Sequence, residues 1–148
     1  MLRHWPARHR GLTTEARERP LGMKVIDVWP DVQLAGRAAT GPMDGYEQLV
    51  KGDVYRARWR RSLETPQALV PGRPDSVNYV LHDVFHTFKK GHRLMVHVQG
   101  SWFPLIDRNP QTFVPNINTA EADAFKPATM TVFRSSARSS HLILPVLP

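Results

Sequence analysis

Short runs of alternating apolar and polar residues, each ended by proline or glycine, constrain this chain more than any other feature of its sequence. The 148 residues include 13 prolines and 9 glycines, which suit short strands better than helices, because proline breaks a helix interior and glycine weakens it. The clearest run is HRLMVHVQ at 92–99, where Leu94, Val96 and Val98 share one face of an extended chain. This alternation predicts a half-buried strand.

Five further runs have the composition of strands, being rich in β-branched and aromatic residues. They are MKVIDVW at 23–29, YEQLVKGDVYRARWR at 46–60, SVNYVLHDVFHTF at 76–88, TMTVFRS at 129–135 and HLILPVL at 141–147. Asn118 as a capping residue, followed by acidic residues and then by Pro127, predicts one short helix near 119–126. Six short strands joined by long loops indicate an all-β fold, an antiparallel β-sandwich.

The distribution of charge argues against nucleic acid as a partner. The net charge is +7, but residues 1–22 alone hold five arginines against two glutamates, and the remainder is close to balanced. Residues 1–22 show no apolar period, so we interpret them as a disordered or non-homologous basic leader before a domain at 23–148.

The sequence leaves the compartment open and predicts no membrane attachment. The first thirty residues contain no apolar run typical of a signal peptide, and no segment of the chain is apolar enough to span a bilayer. As written, the chain is expected in the cytoplasm with no membrane partner, and its localisation is otherwise unassigned.

Residues that carry chemistry do not form a recognisable catalytic or metal motif. His82 and His86 are four apart, but on a predicted strand this places them about 13 Å apart, too far to share one zinc ion. Ser101 follows Gly100 without the G-x-S-x-G pattern of a hydrolase nucleophile. The chain has no cysteine, which excludes Cys-ligated zinc and a cysteine nucleophile. From these observations together we expect no catalytic residue, no metal ligand and no cofactor.

A stripe of arginines, Arg56, Arg58 and Arg60, lies on one face of the second predicted strand. A single-strand nucleic-acid site needs aromatic side chains on the same face. Tyr55 and Trp59 alternate to the opposite face, so we expect the stripe to be solvated or to face another subunit.

The turn SWFPLIDRNP at 101–110 holds the candidate site residues, which are Trp102, Phe103, Pro104, Asp107, Arg108 and Asn109. Asp107 is expected to accept backbone hydrogen bonds, and Arg108 to pair with a carboxylate. The same residues suit a structural corner or a docking surface for another domain, because Trp and Arg dominate interface energies. The sequence leaves both interpretations open.

Four segments together carry a family resemblance. They are VIDVWPD, GYEQLVKGDVYRARWRRSLETP, VFHTFKKGHRLMVHVQGSWFPLIDRNPQTF and the tail SHLILPVLP. The chain from about residue 23 resembles the C-terminal β-domain of the X-Pro dipeptidyl-peptidase (CocE/NonD) family of serine hydrolases. It is most similar to the branch of α-amino-acid ester hydrolases and glutaryl-cephalosporin acylases.

The resemblance implies a jelly-roll (galactose-binding-like) β-sandwich, here missing its first strands, that packs against an upstream α/β-hydrolase domain. In the family that domain carries the catalytic serine, aspartate and histidine, so this chain alone is expected to be inactive. A second copy of the chain is an alternative partner. The alternative function is a carbohydrate- or protein-binding module that uses Trp59, Tyr79 and Trp102 as a stacking platform.

Overall fold

Short β-strands dominate the computed structural model, which describes residues 7–14, 20–31 and 43–144. The strands are β1 (Ala7–Thr14), β2 (Pro20–Val28), β3 (Glu47–Arg56), β4 (Asp75–Tyr79), β5 (Arg93–Gln99), β6 (Met130–Val132), β7 (Arg134–Ser135) and β8 (Arg138–Ser139). Three single 3-10 turns occur at Ala57–Trp59, Ile117–Thr119 and Ala122–Ala124.

The strands form two antiparallel three-stranded sheets and one small hairpin. The first sheet has the order β4-β1-β6, the second the order β3-β2-β5, and β7 pairs with β8. This arrangement confirms the all-β class and the antiparallel pairing expected from the sequence. Among the described residues, no helix has the length and apolar character needed to cross a membrane.

Strand β2 is the structural centre of the second sheet, because it is paired on both sides. Met23 lies opposite Asp53 of β3 and Val98 of β5. All but one of its nine residues are buried, as expected for a central strand with both edges paired. The pairing of β2 with β3 shifts register between Val25 and Ile26. A register shift of this kind is typical of a β-bulge, which increases the local twist of a strand.

The hydrophobic core lies between the two sheets. Its buried members are Leu21 and Met23 from β2, Val77 from β4, and Ala57 and Leu69 from the connection after β3. Tyr55, Leu81, Met130 and Leu142 are partly buried around this cluster. Because the cluster joins residues of both sheets, burial of apolar surface between them holds the sandwich together.

The interpretation of residues 1–22 as a disordered leader is wrong where the structure describes them. Residues 7–14 form β1, and β2 begins at Pro20 rather than at Met23. The polar composition of β1 gives little strand signal, but its backbone pairs with both β4 and β6, and such tertiary pairing overrides weak local propensity. Residues 1–6 and 15–19 lie outside the described part.

Three other predicted elements are shorter than expected. The strand predicted over 76–88 ends at Tyr79, and 80–88 is irregular. The helix predicted near 119–126 is two separate 3-10 turns, since the chain is extended at Ala120 and Glu121 between them. For the last predicted strand, at 141–147, the structure has no strand over 141–144, and residues 145–147 lie outside the described part.

The strand predicted over 92–99 is present as β5, but the apolar face that was expected to be buried is only partly covered. Leu94 and Val96 lie opposite Asp27 and Val25 of β2, on the same face as the core residue Met23. They are nevertheless 46% and 38% exposed. Among the described residues, β5 is an edge strand of the second sheet. The first sheet covers the core-facing side of β2 but leaves part of the same side of β5 exposed to solvent.

Candidate functional site

The turn at 101–110 is anchored to the second sheet by Trp102. The Trp102 ring lies so close to Gly52 of β3 that a side chain at position 52 would overlap it. The Lys24 ammonium group stands 4.3 Å from the centroid of the same ring, a cation–π distance. The backbone N–H of Ile106 closes the turn by donating to the Trp102 carbonyl at 3.0 Å.

Beyond this anchor, the turn presents apolar side chains to solvent. Phe103 is 59% and Leu105 67% exposed, and Pro104 between them is exposed as well. The peptide bond between Phe103 and Pro104 is cis. Two large apolar side chains projecting together from a rigid turn form a local hydrophobic patch of the kind that marks docking surfaces.

Two expected interactions within the turn differ in the structure. Arg108 stands over the Phe103 ring, 4.9 Å from its centroid, and makes no salt bridge to a carboxylate in the described part of the chain. Asn109, rather than Asp107, accepts the backbone hydrogen bond of the turn, from the Gln111 N–H at 2.8 Å. The amide side chain of Asn109 fits this role because it reaches the N–H two residues on.

The arginine stripe is not a solvated strand face, which corrects the sequence prediction. Strand β3 ends at Arg56, and the following 3-10 turn rotates the next arginines inward. Arg58 is 4% exposed, donates to the Val114 carbonyl at 2.6 Å and lies 4.3 Å from the Phe113 ring centroid. The Arg60 side chain is also buried, and its Nε lies 2.6 Å from Asp75 Oδ2. Both guanidinium groups therefore connect β3 to distant segments.

A buried carboxylate with two histidines forms the most polar cluster on β2. Asp27 is 2% exposed, and its two oxygens lie 2.9 Å from His86 Nε2 and 2.8 Å from His92 Nδ1. The His92 ring packs against Trp29 with 4.8 Å between centroids, and Trp29 Nε1 donates to Gln48 at 3.1 Å. With Asp27 ionised, each imidazole donates one N–H to it.

The electrostatics of this cluster favour the ionised form of Asp27. Burial raises the pKa of the Asp27 carboxyl, but the hydrogen bonds from His86 and His92 and the attraction of both rings outweigh burial, so the pKa lies below its ordinary value. The cluster therefore holds the irregular 80–92 segment against β2 by charge-assisted hydrogen bonds.

One feature of the sequence points to this cluster, and it is the position of Asp27 itself. Asp27 interrupts an apolar strand, VIDVW, and a charged residue on a core face needs a partner. The partners themselves could not be named, because His86 is 59 residues away. His82, paired with His86 in the sequence analysis, is instead exposed and stands 4.0 Å from Asp53.

The described residues contain no metal cluster, and Trp102 of the predicted stacking platform packs on Gly52. In the described ranges, no group of three or more His, Cys, Asp or Glu side chains is placed to hold a metal ion. Of the predicted stacking platform, Trp102 is occupied against Gly52, and the carbonyl of Trp59 accepts from the Tyr55 hydroxyl at 2.7 Å. The side chain of Tyr79 lies outside the described part.

The fold and the clusters described above define the class of an antiparallel β-sandwich domain, with an apolar turn that faces outward. Comparison with known families agrees: residues 12–143 match the X-Pro dipeptidyl-peptidase C-terminal non-catalytic domain. The chain belongs to this family, which confirms the identification made from the sequence.

Individual relatives agree with the family assignment. Cocaine esterase from Rhodococcus sp. (strain MB1 Bresler) is 29% identical over 136 residues, covering 92% of this chain. An α-amino acid ester hydrolase structure superposes with a TM-score of 0.87 at 39% identity over 96% of the chain. An aminopeptidase from the marine sediment archaeon Thaumarchaeota archaeon gives a TM-score of 0.87 at 36% identity over 99% of the chain.

The chain spans only a small part of each of these relatives. It covers 21% of the cocaine esterase, 22% of the α-amino acid ester hydrolase and 24% of the aminopeptidase. The similarity therefore concerns the family's non-catalytic domain.

Proposed function

We propose that this chain serves as the C-terminal accessory domain of a serine hydrolase that cleaves ester or amide bonds. Its role is to pack against an α/β-hydrolase domain and to support the wall of the substrate cleft. The hydrolase domain supplies the nucleophile, base and oxyanion hole of the acyl-enzyme route. The observation that carries this proposal is the family match over 12–143, together with the similarity to a cocaine esterase and to an α-amino acid ester hydrolase.

The turn at 101–110 is the proposed contact with the hydrolase domain. Trp102 holds the turn on the second sheet, and this leaves Phe103 and Leu105 facing outward. Arg108, stacked on Phe103, adds a charged group at the edge of the patch. An apolar centre with a polar rim is the usual anatomy of a protein interface. The uncovered Leu94 and Val96 of β5 offer a second apolar area to the same partner.

A domain replacement tests the proposal. The corresponding C-terminal domain of the α-amino acid ester hydrolase is replaced by this chain, and hydrolysis of an aminoacyl ester and the melting temperature are measured. We expect an active, folded chimera, whereas the hydrolase domain without any C-terminal domain should lose activity or stability. A chimera whose two parts melt independently, with the activity of the truncated hydrolase, would contradict the proposal.

The contact surface is tested within the same chimera. The double substitution Phe103→Ser and Leu105→Ser should lower its melting temperature by several degrees, because about 1.5–3 kcal/mol is associated with burying each large apolar side chain. The matched control is Leu63→Ser, at a position that is 78% exposed on another loop, which should change the melting temperature little.

In parallel, a fluorophosphonate probe should not label the 148-residue chain alone, and stoichiometric labelling of it would oppose the accessory role.

A further inference from the structure

An arginine-lined groove lies on the side of the molecule where β4 begins. It is formed between the 60–76 segment and the β7–β8 hairpin, and its volume is about 500 Å³, within the range of roughly 300–1,000 Å³ that small-molecule sites occupy. Its charged lining residues are Arg60, Arg61, Arg73, Asp75 and Arg138. Four positive charges thus surround one negative charge.

Arg60 forms the rigid floor of this groove, because four of its five N–H donors are used in hydrogen bonds within the chain. Its Nε donates to Asp75 Oδ2 at 2.6 Å. Its two terminal nitrogens donate to the carbonyls of Ala57, Gln67 and Ala68 at 2.7–3.1 Å. Its side chain is 6% exposed. The Arg60–Asp75 pair therefore fixes the shape of the groove.

Asp75, the one carboxylate among the described residues that line the groove, already has its hydrogen-bond partners. Asp75 Oδ1 accepts from Arg61 Nη2 at 2.6 Å and from the Ser76 backbone N–H at 2.8 Å, while Oδ2 accepts from Arg60. One negative charge cannot neutralise four guanidinium groups, so the lining carries a formal surplus of three positive charges. A groove with this surplus repels cations and attracts anions.

Three guanidinium groups remain available at the walls. Arg61 is 51% exposed and makes a single bond to Asp75. Arg73 is exposed and has no carboxylate partner in the described residues. Arg138 stands over the Phe133 ring, 5.4 Å from its centroid. A cation–π contact occupies the face of a guanidinium group and leaves its in-plane N–H donors available.

We propose that this groove is a binding site for a small oxyanion, carboxylate or phosphate, held by Arg61, Arg73 and Arg138 above the Arg60–Asp75 floor. Guanidinium groups match the planar spacing of two oxygen atoms and form charge-assisted bonds to both classes of anion. The surplus of three charges favours ligands with two or more negative charges. The site is independent of the hydrolase activity proposed above.

Titration of two probe anions into the 148-residue chain tests this site. It also distinguishes phosphate from carboxylate as the class of ligand that binds. Inorganic phosphate and succinate are titrated separately by calorimetry and by two-dimensional NMR, at constant ionic strength maintained with sodium chloride. We expect saturable binding of at least one of them, with amide shifts centred on residues 60–76 and the β7–β8 hairpin. Preference for phosphate or for succinate identifies the natural ligand class.

Variants locate the binding to this groove. Arg73→Gln and Arg138→Gln should each weaken the affinity by about tenfold, the effect of losing one charge-assisted hydrogen bond. Both side chains are exposed, so both variants should keep the melting temperature of the unmodified chain. Arg134→Gln is the matched control, because Arg134 is on the same hairpin but does not line the groove. Equal weakening by all three variants, or no saturable binding of either anion, would overturn the proposal.

Discussion

Asp27 shows how one residue within an apolar strand depends on distant partners. Its carboxylate is enclosed between β2 and the 80–92 segment, and both of its oxygens are hydrogen-bonded to histidines. Burying a carboxylate without such partners is costly. The position of Asp27 is therefore tolerated because His86 and His92 supply two donors.

Substitution Asp27→Asn should destabilise the fold by about 1–3 kcal/mol at neutral pH, the cost of leaving a buried donor without its acceptor. The side-chain amide can accept from one histidine but presents its own N–H groups to the other. Urea unfolding at pH 7 measures this difference. Asp53→Asn is the matched control. Its contact with the exposed His82 is long, at 4.0 Å, and the asparagine oxygen can still accept from the Val54 N–H, so stability should change by less than about 0.5 kcal/mol.

The acid dependence of stability follows from the direction of the Asp27 pKa. This pKa is lower in the folded chain than its ordinary value, so the ionised carboxylate stabilises the fold. The contribution is complete above the unfolded pKa of about 4 and is lost as pH falls through the lower folded pKa. The unmodified chain should therefore lose more stability than Asp27→Asn as pH falls below about 4, measured by urea unfolding at each pH. Parallel curves for the two proteins would contradict this assignment.

At the scale of elements, the packing of the 101–110 turn on β3 depends on a glycine, because there is no room for a side chain at position 52. Gly52 allows the Trp102 ring to lie directly on the strand, with Lys24 on the same ring. The turn is otherwise exposed over Phe103 to Leu105. A single close contact thus decides whether the apolar tip of the turn is held in a defined position.

Substitution Gly52→Ala should displace Trp102 and destabilise the chain by about 1–3 kcal/mol, as overpacking does elsewhere in well-packed interiors. Urea unfolding followed by tryptophan fluorescence measures the change. The control is the same substitution in a Trp102→Ala background, where the added methyl group meets no ring and the penalty should disappear. A penalty of equal size in both backgrounds would show that the contact with Trp102 is not its cause.

At the scale of the whole molecule, apolar surface remains exposed on one turn and on one edge strand. Phe103 and Leu105 project from the turn, and Leu94 and Val96 line β5. Surfaces of this kind promote association when their partner is absent. The isolated chain is therefore expected to self-associate, whereas the same surface is stabilising when it is covered.

The double substitution Phe103→Ser and Leu105→Ser should have opposite consequences in the two contexts. In the isolated chain it should reduce self-association, measured by analytical ultracentrifugation, with little change in melting temperature because both side chains are already exposed. In the hydrolase chimera it should lower the melting temperature, as argued above. A large loss of stability in the isolated chain would instead place these side chains in its own core.

The sequence by itself determined the all-β class, the family, and the approximate positions of β2 and β5, because alternation and strand propensity are local properties. It also identified the apolar turn at 101–110. Only the tertiary structure decided that residues 7–14 form a strand, that Arg58 is buried against Val114, 56 residues away, and that Asp27 is paired with two histidines. A local pattern indicates which face a residue occupies while the strand continues, whereas the partner of a buried charge depends on which distant segment the fold brings to that face.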